Sequence, residues 1–350
     1  MYKTICHDMD IKILTLDDLI EAGCFDVGKV LTICENSFAA YAQGEVILPN
    51  KLSTVFDEQT QNRINCLPAG MVNEKIYGMK WVSVFPGNPH QRNIPNLTAV
   101  ILLSDMETGF PVAFMEGSLI SNLRTASVGA IAAKYLARKN SEAIGFIGAG
   151  EQAKSHLIMM KEIFPNIKLC KVSSRTKESE RLFVEQMKHF CPYVDIVPCN
   201  GIYEEAVRGA DIVVTAISGQ AKILQADWLE KGAFYCHGGG LEADFAVPLK
   251  ANKIVCDSWE FVKHRTQTIS RMYQSGLLSD SKIYGDLHEI VTGLKPGRQT
   301  EEEFIYFNSV GMAFTDIALA NWMYKKASQV GKGLKICFKH NSMFDSNGFV

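Results

Sequence analysis

The chain has 350 residues, of which 47% are hydrophobic and 21% are charged, and its formal net charge is -2. This length predicts about two globular domains, and the lack of a basic excess argues against a nucleic-acid partner. The apolar runs are too short to span a membrane, and the N-terminus predicts no secretory signal. Ten scattered cysteines without a Cys-x-x-Cys pair predict reduced thiols in a cytoplasmic protein, with Cys170 and Cys256 buried.

The first part of the chain predicts a small sheet flanked by helices. A strand and a short helix capped by Thr15 are expected within residues 12–22, followed by an amphipathic helix at residues 26–43. Turn signals at residues 49–50, 68–70 and 87–89 then separate segments rich in β-forming residues, which cover residues 45–48, 52–56, 63–67, 76–84 and 98–104. A hairpin turn at residues 105–109 leads to a strand at 111–116 and a helix at 118–137. Consecutive strands at this spacing predict an antiparallel or mixed sheet.

From residue 143 to about residue 315, predicted strands alternate with helices. The strands cover residues 143–147, 169–173, 195–198, 212–215, 233–237 and 253–256, and the helices include residues 179–189 and 202–208. This alternation is typical of a doubly wound parallel sheet of the Rossmann type. A last helix is predicted at residues 311–328, and the polar tail from Phe338 onward is expected to fray.

A glycine-rich turn at the start of this region predicts a dinucleotide site. Gly148, Gly150 and Ala153 form a Gly-x-Gly-x-x-Ala pattern between a short apolar run and a helical pattern. Gly148 would allow the tight turn, Gly150 would let the backbone approach a pyrophosphate, and Ala153 would let the helix pack closely. The alternative is a glycine turn in another kind of α/β protein. The predicted contacts to the cofactor from this turn are Gly148, Ala149, Gly150, Glu151 and Gln152.

The segment after the second strand of this region indicates which cofactor binds. An acidic residue there would bind the ribose 2′-hydroxyl of NAD, whereas this chain has Ser174, Arg175 and Thr176, which suit a 2′-phosphate. The pattern therefore favours NADP(H), with NAD(H) possible, unless Arg175 is only a surface residue at a helix start. Small residues after the fourth strand are predicted to line the same cofactor, namely Thr215, Ala216 and Ile217.

Three cations in the first part of the chain are candidates for holding a small carboxylate. Lys80 lies in a strand, Arg124 lies in an otherwise apolar helix, and Lys51 begins another strand. Lysine and arginine are the usual carboxylate ligands, and arginine binds as a bidentate fork. Taken singly, each would also fit a solvated surface. Glu116, just before the helix, is a candidate proton relay or a partner of one of these cations.

Several motifs occur in the order found in a known family. They are Gly-Met-Lys-Trp-Val at residues 78–82, Asp-Met-Glu-Thr-Gly-Phe-Pro at 105–111, Leu-Arg-Thr-Ala-Ser at 123–127, Ala-Ala-Lys-Tyr-Leu at 132–136, the glycine turn, and Asn-Ser-Val-Gly-Met-Ala at 308–313. The chain resembles the ornithine cyclodeaminase/mu-crystallin family from about residue 12 to residue 330. The resemblance implies a substrate-binding and dimerisation domain of residues 1–130 and 316–350, a Rossmann domain of residues 131–315, and a homodimer. It also implies that Lys80 and Arg124 grip the α-carboxylate of an amino-acid substrate, with Lys51 as a third contact.

The chain departs from the cyclodeaminase pattern at one position. Cyclodeaminases carry a catalytic Asp after a Gly-Gly pair, whereas Gly240 stands there in this sequence, and neither Glu242 nor Asp244 has the matching spacing. This argues against ornithine cyclisation. Asn-Pro at residues 88–89, Met-Glu at 115–116 and Val-Thr-Gly at 291–293 resemble instead the N-(2-amino-2-carboxyethyl)-L-glutamate dehydrogenase branch. That branch makes 2,3-diaminopropionate for siderophores and antibiotics, and its usual cofactor is NAD.

All these readings imply hydride transfer between a substrate Cα and a nicotinamide, interconverting amine and imine. The favoured reaction releases 2,3-diaminopropionate and 2-oxoglutarate. The alternatives are an NADPH-dependent imine or ketimine reductase, an opine-type amino acid dehydrogenase, an ornithine cyclodeaminase, and a non-catalytic NADPH-binding protein like the mu-crystallins. The predicted catalytic residues are Lys80, Arg124 and Glu116. His237 is a second candidate for moving the proton, or a structural residue at a strand end. No metal site is predicted.

Overall fold

A computed structural model describes residues 10–57 and 59–337. The described chain divides into two compact units. The first unit contains the described residues up to Asp26, Val46–Ile120, and the described residues from Asp316 onward. The second unit contains Val27–Glu45 and Ser121–Thr315. The predicted assignment of substrate binding and dimerisation to one domain stays a prediction, as do its boundaries.

The described elements comprise sixteen strands and twelve α-helices. The strands are β1 Asp10–Leu14, β2 Val46–Ile47, β3 Leu52–Asp57, β4 Asn62–Met71, β5 Ile76–Val84, β6 Leu97–Asp105, β7 Pro111–Glu116, β8 Ala143–Ile147, β9 Leu169–Ser173, β10 Asp195–Pro198, β11 Ile212–Thr215, β12 Phe234–His237, β13 Lys253–Cys256, β14 Gly285–Asp286, β15 Ile305–Asn308 and β16 Leu334–Cys337. The helices are α1 Leu16–Glu21, α2 Val27–Ala42, α3 Asn88–Gln91, α4 Ser118–Leu136, α5 Glu151–Ile163, α6 Lys177–Phe190, α7 Tyr203–Val207, α8 Ala246–Lys250, α9 Trp259–Val262, α10 Thr268–Gln274, α11 Leu287–Val291 and α12 Ala313–Gln329.

The sheet of the first unit is mixed, as predicted. Its order is β16-β1-β7-β6-β5-β4-β2, with β3 also paired to β4, and only the β1–β7 pairing is parallel. The turn between β6 and β7 is the expected hairpin, in which Asp105 Oδ1 accepts from Thr108 N at 2.8 Å and Gly109 has φ +72°. Alternation along β5 buries Lys80 on one face and leaves Trp81 on the other. This alternation positions the lysine in the interior of the unit.

The sheet of the second unit is parallel and doubly wound, which confirms the predicted Rossmann fold. Its strand order is β10-β9-β8-β11-β12-β15-β13-β14, so the chain reverses direction across the sheet between β8 and β11. Ligands of such sheets bind outside the carboxyl ends of the strands at this switch point. The central strands β11, β12, β13 and β15 are buried at every residue, as expected for a sheet covered on both faces.

The structure corrects the sequence analysis at several elements. Residues 68–70, predicted as a turn, lie inside β4. Pro68 is tolerated there because β3 pairs with β4 only as far as Cys66 and β2 pairs only from Gly70, so Pro68 faces the gap between them. Strands β14, β15 and β16 were not predicted. The tail expected to fray lies outside the described residues.

The prediction that Cys170 and Cys256 are buried thiols is confirmed. No helix in the described part of the chain combines the length and apolarity needed to cross a membrane.

Candidate active site

The glycine turn between β8 and α5 has the geometry that a pyrophosphate requires. Gly148 has φ +111°, and a Cβ there would lie 2.4 Å from the carbonyl oxygen of Ala216, so only glycine fits. Gly150 is the N-cap of α5, and a Cβ there would meet open space within 4 Å. Ala153 is fully buried. The bare backbone and the amide end of a 13-residue helix therefore fit a dinucleotide phosphate.

The next two predicted cofactor residues are engaged at the start of α5. Glu151 is exposed, and its Oε1 lies 2.7 Å from Lys154 Nζ. Gln152 donates from Nε2 to Asn122 Oδ1 at 2.7 Å, whereas its Oε1 is buried and accepts no hydrogen bond within the described chain. That oxygen is a candidate acceptor for a ligand. Cofactor contact by Ala149, Glu151 and Gln152 stays a prediction.

A buried carboxylate shapes the loop between β9 and α6. Glu180 is 1% exposed, and it accepts from Ser174 N at 2.8 Å and from Gly201 N at 2.9 Å. Thr176 caps α6 through its hydroxyl, and Arg175 between them is exposed. Glu180 thus fixes the loop that would meet the ribose, and residues 174–176 of this loop carry an exposed cation and no acid.

Glu242 fixes the neighbouring loop after β11. Its buried Oε2 accepts from Thr215 Oγ1 at 2.6 Å, and its Oε1 accepts from Ile217 N at 2.9 Å. The carbonyl of Ala216, between them, is the atom that faces Gly148. The polar groups of this loop are therefore held by the protein, and cofactor contact by Thr215, Ala216 and Ile217 stays a prediction.

His237 is a buried link at the end of β12. Its Nδ1 lies 2.5 Å from the Tyr306 hydroxyl, and its Nε2 lies 2.7 Å from the carbonyl oxygen of Gly240. Burial lowers the pKa of His237. Both ring nitrogens are engaged, which favours the structural alternative for His237 over proton transfer.

In the first unit, Lys80 forms a fully buried ion pair. Its Nζ lies 2.7 Å from Asp316 Oδ1 in α12, and the two side chains are 1% and 0% exposed. Gly78, two residues earlier on the same face, leaves room for α12, because a Cβ there would lie 2.8 Å from Ile317 Cδ1. The sequence analysis found Lys80 but missed Asp316. The missed signal is a lone acid in the mostly apolar first half of α12, where burial calls for a cation nearby.

In the second unit, Arg124 packs against the loop that follows β15. Gly311 has φ +84°, and a Cβ there would lie 2.3 Å from Arg124 Nη1. The buried carboxylate of Asp257 fixes this loop, with Oδ2 accepting from Ser309 Oγ at 2.8 Å, Val310 N at 2.9 Å and Gly311 N at 2.7 Å. Asp257 was also missed, although an acid directly after a buried strand is a recognisable signal.

The two remaining predicted residues differ in their surroundings. Glu116 receives the first amides of α4, with Oε1 accepting from Ser118 N at 2.6 Å and Oε2 from Leu119 N at 2.9 Å. The structure therefore gives Glu116 a helix-capping contact, and its role in proton transfer stays a prediction. Lys51 lies half-buried just before β3. Its substrate contact also stays a prediction.

Position 240, where a cyclodeaminase would carry Asp, is covered by another side chain. A Cβ on Gly240 would lie 2.0 Å from Gln220 Nε2. Glu242 is committed to Thr215 and Ile217, and Asp244 accepts from Ala246 N at 2.9 Å. Neither acid takes the place of a carboxylate at position 240.

A parallel doubly wound sheet with a glycine turn at the amide end of α5 is typical of a protein that binds a dinucleotide. The model of the ornithine cyclodeaminase/mu-crystallin family matches residues 13–331. The chain belongs to this family and is an NAD(P)-dependent oxidoreductase.

Named relatives and solved structures agree with this assignment. N-((2S)-2-amino-2-carboxyethyl)-L-glutamate dehydrogenase of Staphylococcus aureus is 32% identical over 324 residues, which are 91% of this chain and 96% of the relative. Alanine dehydrogenase of Archaeoglobus fulgidus is 32% identical over 334 residues, 94% of this chain and 99% of the relative. The structure of Thermococcus litoralis Δ1-pyrroline-2-carboxylate reductase in complex with NADH and L-proline has a TM-score of 0.88 at 29% identity, and the match covers 93% of this chain and 100% of that one.

Proposed function

We propose that this protein oxidises the Cα–N bond of an amino-acid-derived secondary amine, with N-(2-amino-2-carboxyethyl)-L-glutamate as its substrate. Loss of a hydride from the glutamate Cα and of the nitrogen proton gives an imine. Water then hydrolyses the imine to 2-oxoglutarate and 2,3-diaminopropionate. The match to the Staphylococcus aureus dehydrogenase supports this choice, as does the glycine at position 240, where a cyclisation enzyme would have a carboxylate.

The observation that carries the proposal is the pair of buried cations, each fixed by its own unit. Asp316 holds Lys80 in place, and the loop at Gly311 supports the guanidinium of Arg124. We assign both to the α-carboxylate of the substrate, with Lys51 as a third contact. Fixed cations lower the entropic cost of orienting the substrate.

A bound nicotinamide would accept or donate the hydride at its C4. The residues assigned to hold it are the glycine turn at Gly148 and Gly150 and the loops on either side. We further propose a preference for NADP(H), because Arg175 lies exposed at the tip of a loop that contains no acid. Replacing Arg175 with Ala should raise the KM for NADPH roughly tenfold, the loss of one charge-assisted hydrogen bond, and spare NADH. Equal effects on both cofactors would refute this role.

The runner-up is the reverse reaction, reduction of a cyclic imine by NADPH, and the cation at Arg175 is the feature that favours it. Named relatives include Δ1-pyrroline-2-carboxylate reductases at up to 31% identity. An alanine dehydrogenase activity would use the same clamp on a smaller substrate.

We also propose a homodimer that buries the outer face of the first sheet. Leu52, Trp81 and Phe114 are 70%, 46% and 42% exposed. Leu52 and Trp81 both lie opposite Cys66, and the register of β5, β6 and β7 places Phe114 on the same face. A contiguous exposed apolar face of this kind marks a protein interface. Sedimentation of the purified chain as a monomer at micromolar concentration would contradict the dimer.

The function is tested by initial rates. Oxidation should be fastest with the glutamate adduct, compared with L-alanine, L-ornithine and L-proline, using NAD and NADP in parallel. 2,3-Diaminopropionate and 2-oxoglutarate should appear in equal amounts. If the protein reduces Δ1-pyrroline-2-carboxylate but leaves the adduct untouched, the imine reductase replaces the dehydrogenase. Tight NADPH binding without turnover of any of these compounds would indicate a non-catalytic protein.

A further inference from the structure

A cation outside the proposed α-carboxylate clamp lies near the carboxyl edge of the parallel sheet. Arg271 is an exposed residue of α10. Its Nε donates to the carbonyl oxygen of Thr266 at 2.9 Å, and its Nη2 donates to Gln220 Oε1 at 3.1 Å. No carboxylate of the described residues forms an ion pair with it. The guanidinium is therefore held in one orientation while its charge is left uncompensated.

The side chain that receives this hydrogen bond lies directly over Gly240. Gln220 Oε1 also accepts from Leu241 N at 3.3 Å, and its Nε2 occupies the space that a Cβ on Gly240 would take. Glycine at this position thus makes room for the amide. An Asp there would displace Gln220 and place a carboxylate beside Arg271. The group beside position 240 is therefore an amide that is bonded to a guanidinium, where an Asp would add a carboxylate.

One buried glutamine connects this cluster to the loop beside Arg124. Gln267 Nε2 donates to the carbonyl oxygens of Gly239 and Ser309, each at 2.8 Å. These two loops follow the adjacent parallel strands β12 and β15. Since neighbouring strands are about 4.8 Å apart, the loops lie side by side at the edge where ligands of such sheets bind. A small molecule held at Arg124 would therefore lie beside the loop that carries Gly240, and Gln220 links that loop to Arg271.

We propose that Arg271, together with the amide of Gln220 over Gly240, binds a second carboxylate, the one on the side chain of a dicarboxylic amino-acid substrate. The inference rests on the proposed function, because it takes Arg124 as the ligand of the α-carboxylate. A planar guanidinium fixed by two hydrogen bonds and facing no acid is suited to a carboxylate. The same charge disfavours the side-chain ammonium of ornithine or lysine. The cluster thus selects glutamate-type substrates over basic and small neutral ones.

The first test separates side-chain recognition from general damage to the protein. Replacing Arg271 with Met should raise the KM for N-(2-amino-2-carboxyethyl)-L-glutamate roughly tenfold and leave the KM for L-alanine within about twofold. The matched control is Arg181→Met, since Arg181 is an exposed arginine that pairs with Glu178 and Glu185 on α6. Equal changes for both substrates, or no change for either, would overturn the proposal and leave Arg271 as a surface charge that orders its loop.

The second test does not depend on turnover of the adduct. Calorimetric titration of the NADPH-loaded protein should give tighter binding of glutarate than of butyrate, and Arg271→Met should abolish that difference. Gly240→Asp, which leaves Arg271 in place, should abolish it as well. Equal affinity of the unmodified protein for the two acids would overturn the subsite. Failure to oxidise the adduct while glutarate is still preferred would reject only the proposed reaction.

Discussion

Lys80 and Arg124 are both buried cations, and the fold packs a different feature against each of them. Lys80 has a direct charge partner, Asp316, in the same unit. Arg124 packs on a loop backbone at Gly311, and the acid that fixes this loop, Asp257, acts through the loop amides. A cation with its own buried counter-charge is part of the stability of its unit. Arg124 packs on a loop, so changes in the shape of that loop should affect Arg124 more than Lys80.

The largest expected effect is on the stability of the first unit. Replacing Lys80 with Met removes the ammonium that lies 2.7 Å from the buried Asp316 carboxylate, which should cost about 3–5 kcal/mol in free energy of unfolding. Urea denaturation measures this loss. Substituting Asp316 with Leu in the same chain should recover most of it, because the buried carboxylate is then removed as well. The double variant should still lack activity, since the proposed carboxylate ligand is absent.

An exposed pair in the same unit provides the control for that comparison. Lys75 and Glu107 lie 2.5 Å apart, but each side chain is 63% exposed. Solvent screens such pairs, so Lys75→Met should change stability little. If Lys80→Met were as mild as Lys75→Met, the folded state would not depend on Lys80 beside the buried Asp316 carboxylate.

The next effect is kinetic. Replacing Arg124 with Ala should lower kcat/KM roughly 10²-fold or more, through loss of a charge-assisted clamp worth about 3 kcal/mol in the transition state. Arg124→Lys keeps the charge but loses the planar fork, so it should recover only part of the rate. Thermal melting would establish that each variant is folded. Near-normal kinetics in folded Arg124→Ala would remove this residue from the site.

The contrast between the two cations also explains what sequence reasoning could reach. The glycine turn and most strands of the second unit were predicted because their signals are local, a short apolar run followed by Gly148 and a helical pattern. The pairing of Lys80 with Asp316 joins residues 236 positions apart, and no local pattern encodes it. The same holds for Gln220, whose amide reaches Gly240 only because β11 and β12 are neighbours. Pro68 was misread because a turn residue is tolerated in a strand where a partner strand is missing.

The last expected effect concerns the loop beside Arg124, where pH should change stability and activity in opposite directions. Burial raises the pKa of Asp257 to about 6, from an ordinary value of 3.8. The folded state therefore binds this proton more tightly than the unfolded chain does. The contribution of Asp257 to stability is fully present below pH 3.8 and is lost as pH rises through 6. Activity should follow the reverse course, because the ionised carboxylate is the form that accepts from Ser309, Val310 and Gly311.

The variant Asp257→Asn tests both the pH dependence of stability and the pH dependence of activity. The free energy of unfolding of the native chain and of the variant should be measured by denaturation at pH 4 and at pH 7. Between these two pH values, the stability of the variant relative to the native chain should rise by up to about 3 kcal/mol. The native kcat/KM should fall severalfold below pH 6, whereas the variant should lack this acid limb. Asp244→Asn is the control, because Asp244 is a partly exposed acid of the same unit. An unchanged acid limb in Asp257→Asn would mean that Arg124 does not depend on the loop that Asp257 holds. The two cations would then differ in their partners but not in how substrate binding depends on them.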